Sequence, residues 1–247
     1  MSCPQKPHTT RFFLRNPVAV LVVFSIFLTS CGDLINLNPK KSESAEKTDS
    51  VSKALPNGRI ACVGTSITQG EGIPVTEKKY PDYLEDMLGN QDTVQSYGVS
   101  GTTVLRKGIL PYWNESAYQN ALSLNPGIVI IELGTNDSRE VNWQHKADFK
   151  ADYIAFIRSF QALPAKPTVY ICKPTPAFKA VYGIRPDVVK NEIMPLIDEV
   201  ARETGVKVID LYTPLLSQES LFQDGIHPNT EGAKGMAEVV KQAIRPN

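Results

Sequence analysis

Between residues 59 and 211 the chain alternates short apolar runs with longer amphipathic ones. The runs 59–64 (RIACVG), 93–97 (TVQSY), 128–133 (IVIIEL), 168–172 (TVYIC) and 206–211 (VKVIDL) have the length and β-branched content of strands. The third is apolar almost throughout, as a strand buried on both faces of a parallel sheet must be. Residues 80–88, 116–124, 148–163, 187–203 and 230–244 carry helical periodicity instead. In the third of these, Phe149, Tyr153, Phe156, Ile157 and Phe160 repeat at the spacing of one buried face, so they belong to the core rather than to a cofactor pocket. Strand-helix alternation of this kind predicts an α/β fold, a three-layer α/β/α sandwich around a five-stranded parallel sheet. Ligands bind such sheets beyond the carboxyl ends of the strands, so chemistry is sought in the residues that follow each run.

The N-terminal part has a different texture. Residues 1–15 are polar and basic, and 18–28 is an unbroken apolar or small run of eleven residues. At about 1.5 Å per residue such a run covers roughly half of a ~30 Å hydrocarbon core, which disfavours a spanning helix and fits a secretory signal. Leu28-Thr29-Ser30-Cys31 resembles the bacterial lipobox. That resemblance implies a signal peptide over residues 1–30, a diacylated Cys31 and a lipid-anchored protein of the bacterial cell envelope. Residues 31–57, rich in Asn, Lys, Ser, Glu and Asp, then form a flexible tether, and 58–247 the folded domain.

Charge acquires meaning after this division. The 247 residues hold 26 Lys+Arg and 26 Asp+Glu, but Lys6, Arg11 and Arg15 fall within the signal, which contains no acid. The remainder therefore has a formal charge of −3, unlike a general nucleic-acid binder. Of the four cysteines, Cys3 leaves with the signal, Cys31 carries lipid, and Cys62 and Cys172 sit in strand runs as buried free thiols. No Cys/His cluster has metal-ligand spacing, and neither a metal nor an organic cofactor is expected.

Four segments follow strands or precede the last helix. Ser66, in Gly64-Thr65-Ser66, either caps a helix or presents its hydroxyl at the sheet edge. Gly101, in Gly98-Val99-Ser100-Gly101, serves a turn or lets backbone approach a ligand. Asn136, in Gly134-Thr135-Asn136-Asp137, is a turn residue or a donor to an oxyanion. In Asp224-Gly225-Ile226-His227 the aspartate can accept the imidazole Nδ1–H and leave Nε2 as a general base. The only other histidine of the domain, His145, has no acid in a comparable turn.

In this order and on these elements, the four segments resemble the consensus blocks of the SGNH (GDSL-type) hydrolases over about residues 59–244. The resemblance implies a flavodoxin-like sandwich, in agreement with the strand-helix count. It implies Ser66 as nucleophile, Ser66 N–H, Gly101 and Asn136 as oxyanion donors, and Asp224 with His227 completing a triad. The family's first block usually reads Gly-Asp-Ser, whereas Thr65 occupies the middle position here. The activity implied is ester hydrolysis through an acyl-enzyme. Family members deacetylate sugars and polysaccharides or act on lysophospholipids, thioesters and aryl esters; a non-catalytic glycan-binding lipoprotein is the reading from another class. Anchoring at the envelope favours carbohydrate acetyl esters of sialic acid, xylan or pectin type. Among the loop residues, Tyr112, Trp113, Trp143 and Tyr182 are candidates for stacking on sugar rings, and Arg106, Lys107, Lys173 and Lys179 for attracting an acidic sugar. Trp113, Trp143 and Arg106 are the expected substrate contacts.

Overall fold

The computed structural model describes residues 56–89 and 92–245. The signal, Cys31 and the tether up to residue 55 lie outside the described residues. The five apolar runs form strands β1 (Arg59–Gly64), β2 (Thr93–Gly98), β3 (Ile128–Glu132), β4 (Thr168–Lys173) and β5 (Lys207–Asp210). They make one parallel sheet in the order β2-β1-β3-β4-β5.

Alternate side chains of each strand enter opposite layers, as the pleat requires. Ala61, Val63, Val129, Ile131, Val169 and Ile171 face helices Ser116–Ser123, Lys146–Gln161 and Met194–Thr204. Ile60, Cys62, Ile128, Ile130, Tyr170 and Cys172 face Tyr80–Leu88 and Thr230–Ile244. The result is the expected three-layer sandwich. The aromatic face of Lys146–Gln161 is fully buried at Phe149, Tyr153, Phe156, Ile157 and Phe160. At about 1.5–3 kcal/mol per buried large side chain, that face contributes on the order of 10 kcal/mol before entropy is counted. Cys62 and Cys172 are free and buried, and burial pushes the Cys62 thiol up to about 12. Among the described residues no helix is long and apolar enough to cross a membrane.

Two features of this frame position the site. Gly64 is level with Gly98 of β2 on one side and with Glu132 of β3 on the other, so the three strands end together. The chain leaves β1 toward β2 and returns to β3 on the opposite side, which opens a crevice beyond those ends. The short helix Ser66–Gln69 leans directly on the end of β2: a Cβ at Gly98 would lie 2.1 Å from the Gln69 backbone nitrogen. Glycine alone permits that approach.

The second feature is a π-helical turn, Val189–Ile193, between Pro186–Val188 and Met194–Thr204. Its wider winding lets successive valines face different layers. Val188 and Ile193 join the main core, while Val189 meets Ile184 and Ile226. Ile226 belongs to the segment that carries His227, so the π turn helps to hold that segment against the body of the domain.

Candidate active site

Ser66 opens the turn after β1. Thr65 caps the helix through its hydroxyl, which accepts the Ile67 N–H at 3.4 Å, and Ser66 remains 7% exposed. Opposite it stands the 222–229 segment, pinned by buried Phe222 and Ile226. The left-handed backbone of Gly225 (φ 87) folds this segment so that acid and base share one turn. Asp224 Oδ1 accepts the N–H groups of Ile226 and His227, each at 2.8 Å. Its Oδ2 lies 2.6 Å from His227 Nδ1 and accepts the Tyr182 hydroxyl at 3.3 Å. His227 Nε2 in turn is 2.9 Å from Ser66 Oγ. Burial acts to raise the Asp224 pKa, yet the bonds from His227 and Ile226 together outweigh it and lower the carboxyl to about 2. Asp224 is thus an anion at neutral pH, which favours the tautomer of His227 with its hydrogen on Nδ1.

The Gly134-Thr135-Asn136-Asp137 turn after β3 completes the cavity. Asn136, 4% exposed, uses one amide hydrogen on the Thr102 carbonyl at 3.1 Å, which leaves the other for a ligand. The buried Asp137 accepts Leu105 N–H at 2.9 Å and Val104 N–H at 3.2 Å. Adjacent residues of one turn therefore hold the 102–105 loop, and with it Gly101 (φ 80), against the end of β3. Ser66, Gly101, Asn136 and His227 line a common cavity of about 90 Å³, joined by Glu71, Arg139 and Tyr182.

The expected sugar contacts fall elsewhere. Trp113 turns inward onto Tyr118 and Phe156, with ring centroids 5.5 and 4.9 Å away, and its Nε1–H donates to the Val104 carbonyl at 2.8 Å. Arg106 lies 3.5 Å over the Trp113 ring and pairs with Asp152. Trp143 is 4% exposed against Phe149 and donates to Glu192. Tyr112 is fully buried. None of these four lines the cavity. The loops that cross the sheet edge anchor themselves through these large side chains, and the apolar surface so buried outweighs what an exposed ring would gain. Lys107 and Lys173 are also diverted, to Asp148 at 2.8 Å and Asp198 at 3.0 Å. Of the loop aromatics singled out, Tyr182 lines the cavity, its ring 5.8 Å from that of His227.

Three charged residues near the site were not legible as such in the sequence. Glu71 Oε2 stands 4.0 Å from His227 Nε2. Arg139 lies on the cavity wall. Glu132, the last residue of β3, is buried beneath the Ser66 turn, and its Oε2 accepts the hydroxyls of Thr65 at 2.9 Å and Thr68 at 3.2 Å. A carboxylate from β3 thus ties down the turn in which Thr65 replaces the usual aspartate. Burial, only partly offset by hydrogen bonds, raises the pKa of Glu132 to about 7, and the same balance raises Asp137 to about 7.

These two acids have a thermodynamic signature. Their folded pKa values exceed the ordinary carboxyl values of 4.5 and 3.8, so between those values and about 7 the native state holds protons that the unfolded chain releases. Stability must therefore fall as pH rises through that window. The urea midpoint is expected to drop between about pH 5 and pH 8, and Glu132→Gln, neutral at every pH, to remove about half of the drop. A wild-type midpoint that stays level, or an unaltered drop in the variant, would contradict the assignment.

The family profile described as GDSL-like Lipase/Acylhydrolase family matches residues 62–234, from within β1 to within the last helix. The chain belongs to this family. Relatives of this GDSL-like chain include an acetylxylan esterase of Xylanibacter ruminicola, 39% identical over 224 residues. That alignment covers 83% of this chain and 45% of the relative, so the chain spans about half the length of the curated relative. A crystal structure of an acetyl xylan esterase superposes with a TM-score of 0.58 at 21% identity, covering 75% of this chain and 99% of the other. A carbohydrate acetylesterase from Sinorhizobium meliloti gives 0.59 at 19% identity, covering 75% and 97%. At these identities the two structures speak for the GDSL-like fold.

Proposed function

We propose that the protein is a serine esterase that removes O-acetyl groups from carbohydrates through an acyl-enzyme. The observation that carries this reading is the unbroken chain Asp224–His227–Ser66 on the wall of a small cavity shared with Gly101 and Asn136. In the reaction, His227 Nε2 takes the Ser66 proton as Oγ attacks the ester carbonyl. The new oxyanion accepts the N–H groups of Ser66 and Gly101 and the unused amide hydrogen of Asn136; one such donor is worth about 100-fold to 1000-fold in turnover. The protonated His227, stabilised by Asp224, then hands its proton to the departing alcohol. A water molecule then gives a proton to Nε2 and attacks the acyl carbon; the bond from that carbon to Ser66 Oγ breaks, His227 returns the proton to Oγ, and acetate is released.

The small size of the cavity, about 90 Å³, supports a short acyl group. The acetylxylan esterase named above supports xylan-type substrates. The decisive measurement is acetate release from acetylated xylan, compared with cleavage of p-nitrophenyl esters of two and eight carbons. Acetate release with preference for the two-carbon ester is expected, and preference for the eight-carbon ester would reject the assignment.

Residues 28–31 support a further element of the proposal, a lipid anchor on Cys31 that holds the enzyme at the bacterial envelope. In a bacterial host, Cys31→Ser is expected to move the protein from the membrane to the soluble fraction. Retention in the membrane would refute the anchor.

A further inference from the structure

Glu71 is fixed by several contacts beside the proposed nucleophile and base. Its backbone N–H donates to the Ser66 carbonyl at 2.9 Å. Gly70 (φ 89) and Gly72 (φ 84) flank it in the left-handed conformation, which folds the chain back after the short helix Ser66–Gln69. Gly72 is thereby laid against His227: a Cβ there would be 3.6 Å from His227 Cβ. The side chain is oriented from the Gly101 loop, where the Ser100 hydroxyl donates to Glu71 Oε2 at 2.5 Å. Ser100 is itself held by Gln69, whose Oε1 accepts the Ser100 N–H at 2.7 Å.

An acid so placed has no step in the acyl transfer described above. Asp224 already meets Nδ1 of His227, and the Ser66 proton reaches Nε2 directly. Yet Glu71 Oε2 stands 4.0 Å from Nε2, the atom that protonates the departing alcohol. Its side chain is 49% exposed, and a carboxylate accepts about four hydrogen bonds, so capacity remains after Ser100 is served. Glu71 also lines a second, larger cavity of about 390 Å³, together with Ile73, Pro74 and Val75. An ester whose acyl group lies by Ser66 and Asn136 therefore has Glu71 beside its alcohol oxygen and open space beyond.

We propose that Glu71 selects the alcohol: its carboxylate accepts the free hydroxyl next to the acetylated one, so that the preferred ester is the monoacetate of a vicinal diol. The proposal rests on the esterase reading above and specifies its leaving group. When Nε2 hands its proton to the departing oxygen, the two atoms are within hydrogen-bond distance. The neighbouring carbon of a sugar ring carries the next hydroxyl one step further on, within reach of Oε2 across the 4.0 Å gap. A hydroxyl donating to an ionised carboxylate makes one of the stronger neutral-to-charged hydrogen bonds, and a site built to receive a donor disfavours the analogue without one. A sugar unit acetylated on both positions offers Glu71 no donor and is the poorer substrate until one acetyl group has gone.

Three uncharged esters test this: the monoacetate of vicinal trans-cyclohexanediol, its methyl ether, and cyclohexyl acetate. The ether removes the donor and adds bulk, whereas cyclohexyl acetate removes the donor and is smaller. Alkaline hydrolysis of the same esters supplies their intrinsic order of reactivity. Beyond that order, wild-type kcat/KM is expected to favour the hydroxy ester over both others by about 10-fold. Glu71→Leu should abolish the advantage, and Glu71→Gln should keep part of it, since the amide oxygen still accepts a hydroxyl without the charge. A wild-type advantage no larger than that in alkali overturns the proposal. So does an advantage unchanged in Glu71→Leu, including the case in which all three esters are slowed alike. Hydrolysis of p-nitrophenyl acetate, which has no neighbouring hydroxyl, separates the two levels. If wild type cleaves it and shows no advantage among the three, the role of Glu71 fails alone; if wild type cleaves none of the four, the esterase reading fails and that role with it.

Discussion

Ser66→Ala protein is expected to fold normally and, on the proposed mechanism, to release acetate about 10⁵-fold to 10⁶-fold more slowly than wild type. The substitution removes one oxygen, bonded to His227 Nε2, at a residue that opens a helix where alanine is well tolerated. Stability should consequently change little, and a circular dichroism melt within a few degrees of wild type separates a chemical loss from an unfolded one. The rate falls so far because without Oγ there is no acyl-enzyme; the donors at Gly101 and Asn136 remain but can only assist direct attack by water. Since Ser66 and His227 act as one unit, their losses do not add. The double variant Ser66→Ala/His227→Ala should be no slower than about the slower single variant. Equal activity of wild type and Ser66→Ala would end the triad assignment. Equal inactivity of the two would favour the glycan-binding alternative.

Asp224→Asn is the second large effect, about 10⁴-fold in kcat with the fold retained. The asparagine oxygen can still accept the Ile226 and His227 N–H groups that now meet Oδ1. Its amide nitrogen, however, would take the place of Oδ2 and donate to Nδ1. The imidazole then carries its hydrogen on Nε2, facing Ser66, and cannot accept the nucleophile's proton. No comparable loss should occur in wild type on mild acidification through Asp224, because its carboxyl stays ionised down to about 2. The depressed value also stabilises the native state above the ordinary 3.8, a contribution that is lost as pH falls through about 2. The test is the kcat of the variant beside its urea midpoint. A loss of less than about tenfold would show that Asp224 does not set the tautomer.

Strands were readable because a parallel sheet buried on both faces demands nearly continuous apolar runs, and their observed limits differ from expectation by a residue or so. The meeting of Ser66, His227 and Asp224 was readable for a related reason. Asp224 and His227 are neighbours in sequence, and Ser66 follows a strand whose edge the fold must expose. What escaped was whatever depends on distant segments meeting. Glu132 reads as the polar interruption of an apolar run until Thr65 and Thr68 are seen above it. Trp113 and Trp143 read as sugar platforms because a loop sequence shows how large a side chain is and not which way it turns. The hydrogen bonds to Val104 and Glu192 show that both turn inward. Arg139 gives no local signal of its place on the cavity wall.

Because Asp224 and His227 are set three residues apart on one glycine-assisted turn and are joined by two hydrogen bonds, the proposed general base and its orienting anion form a single unit. A rigid shift of the 222–229 segment would keep their mutual alignment and change chiefly the approach of Nε2 to Ser66 Oγ. Substitutions at the buried anchors Phe222 and Ile226 would therefore act on the proposed reaction through the spacing between Nε2 and Oγ, like the gap of a contact switch, and leave the Asp224–His227 bond in place.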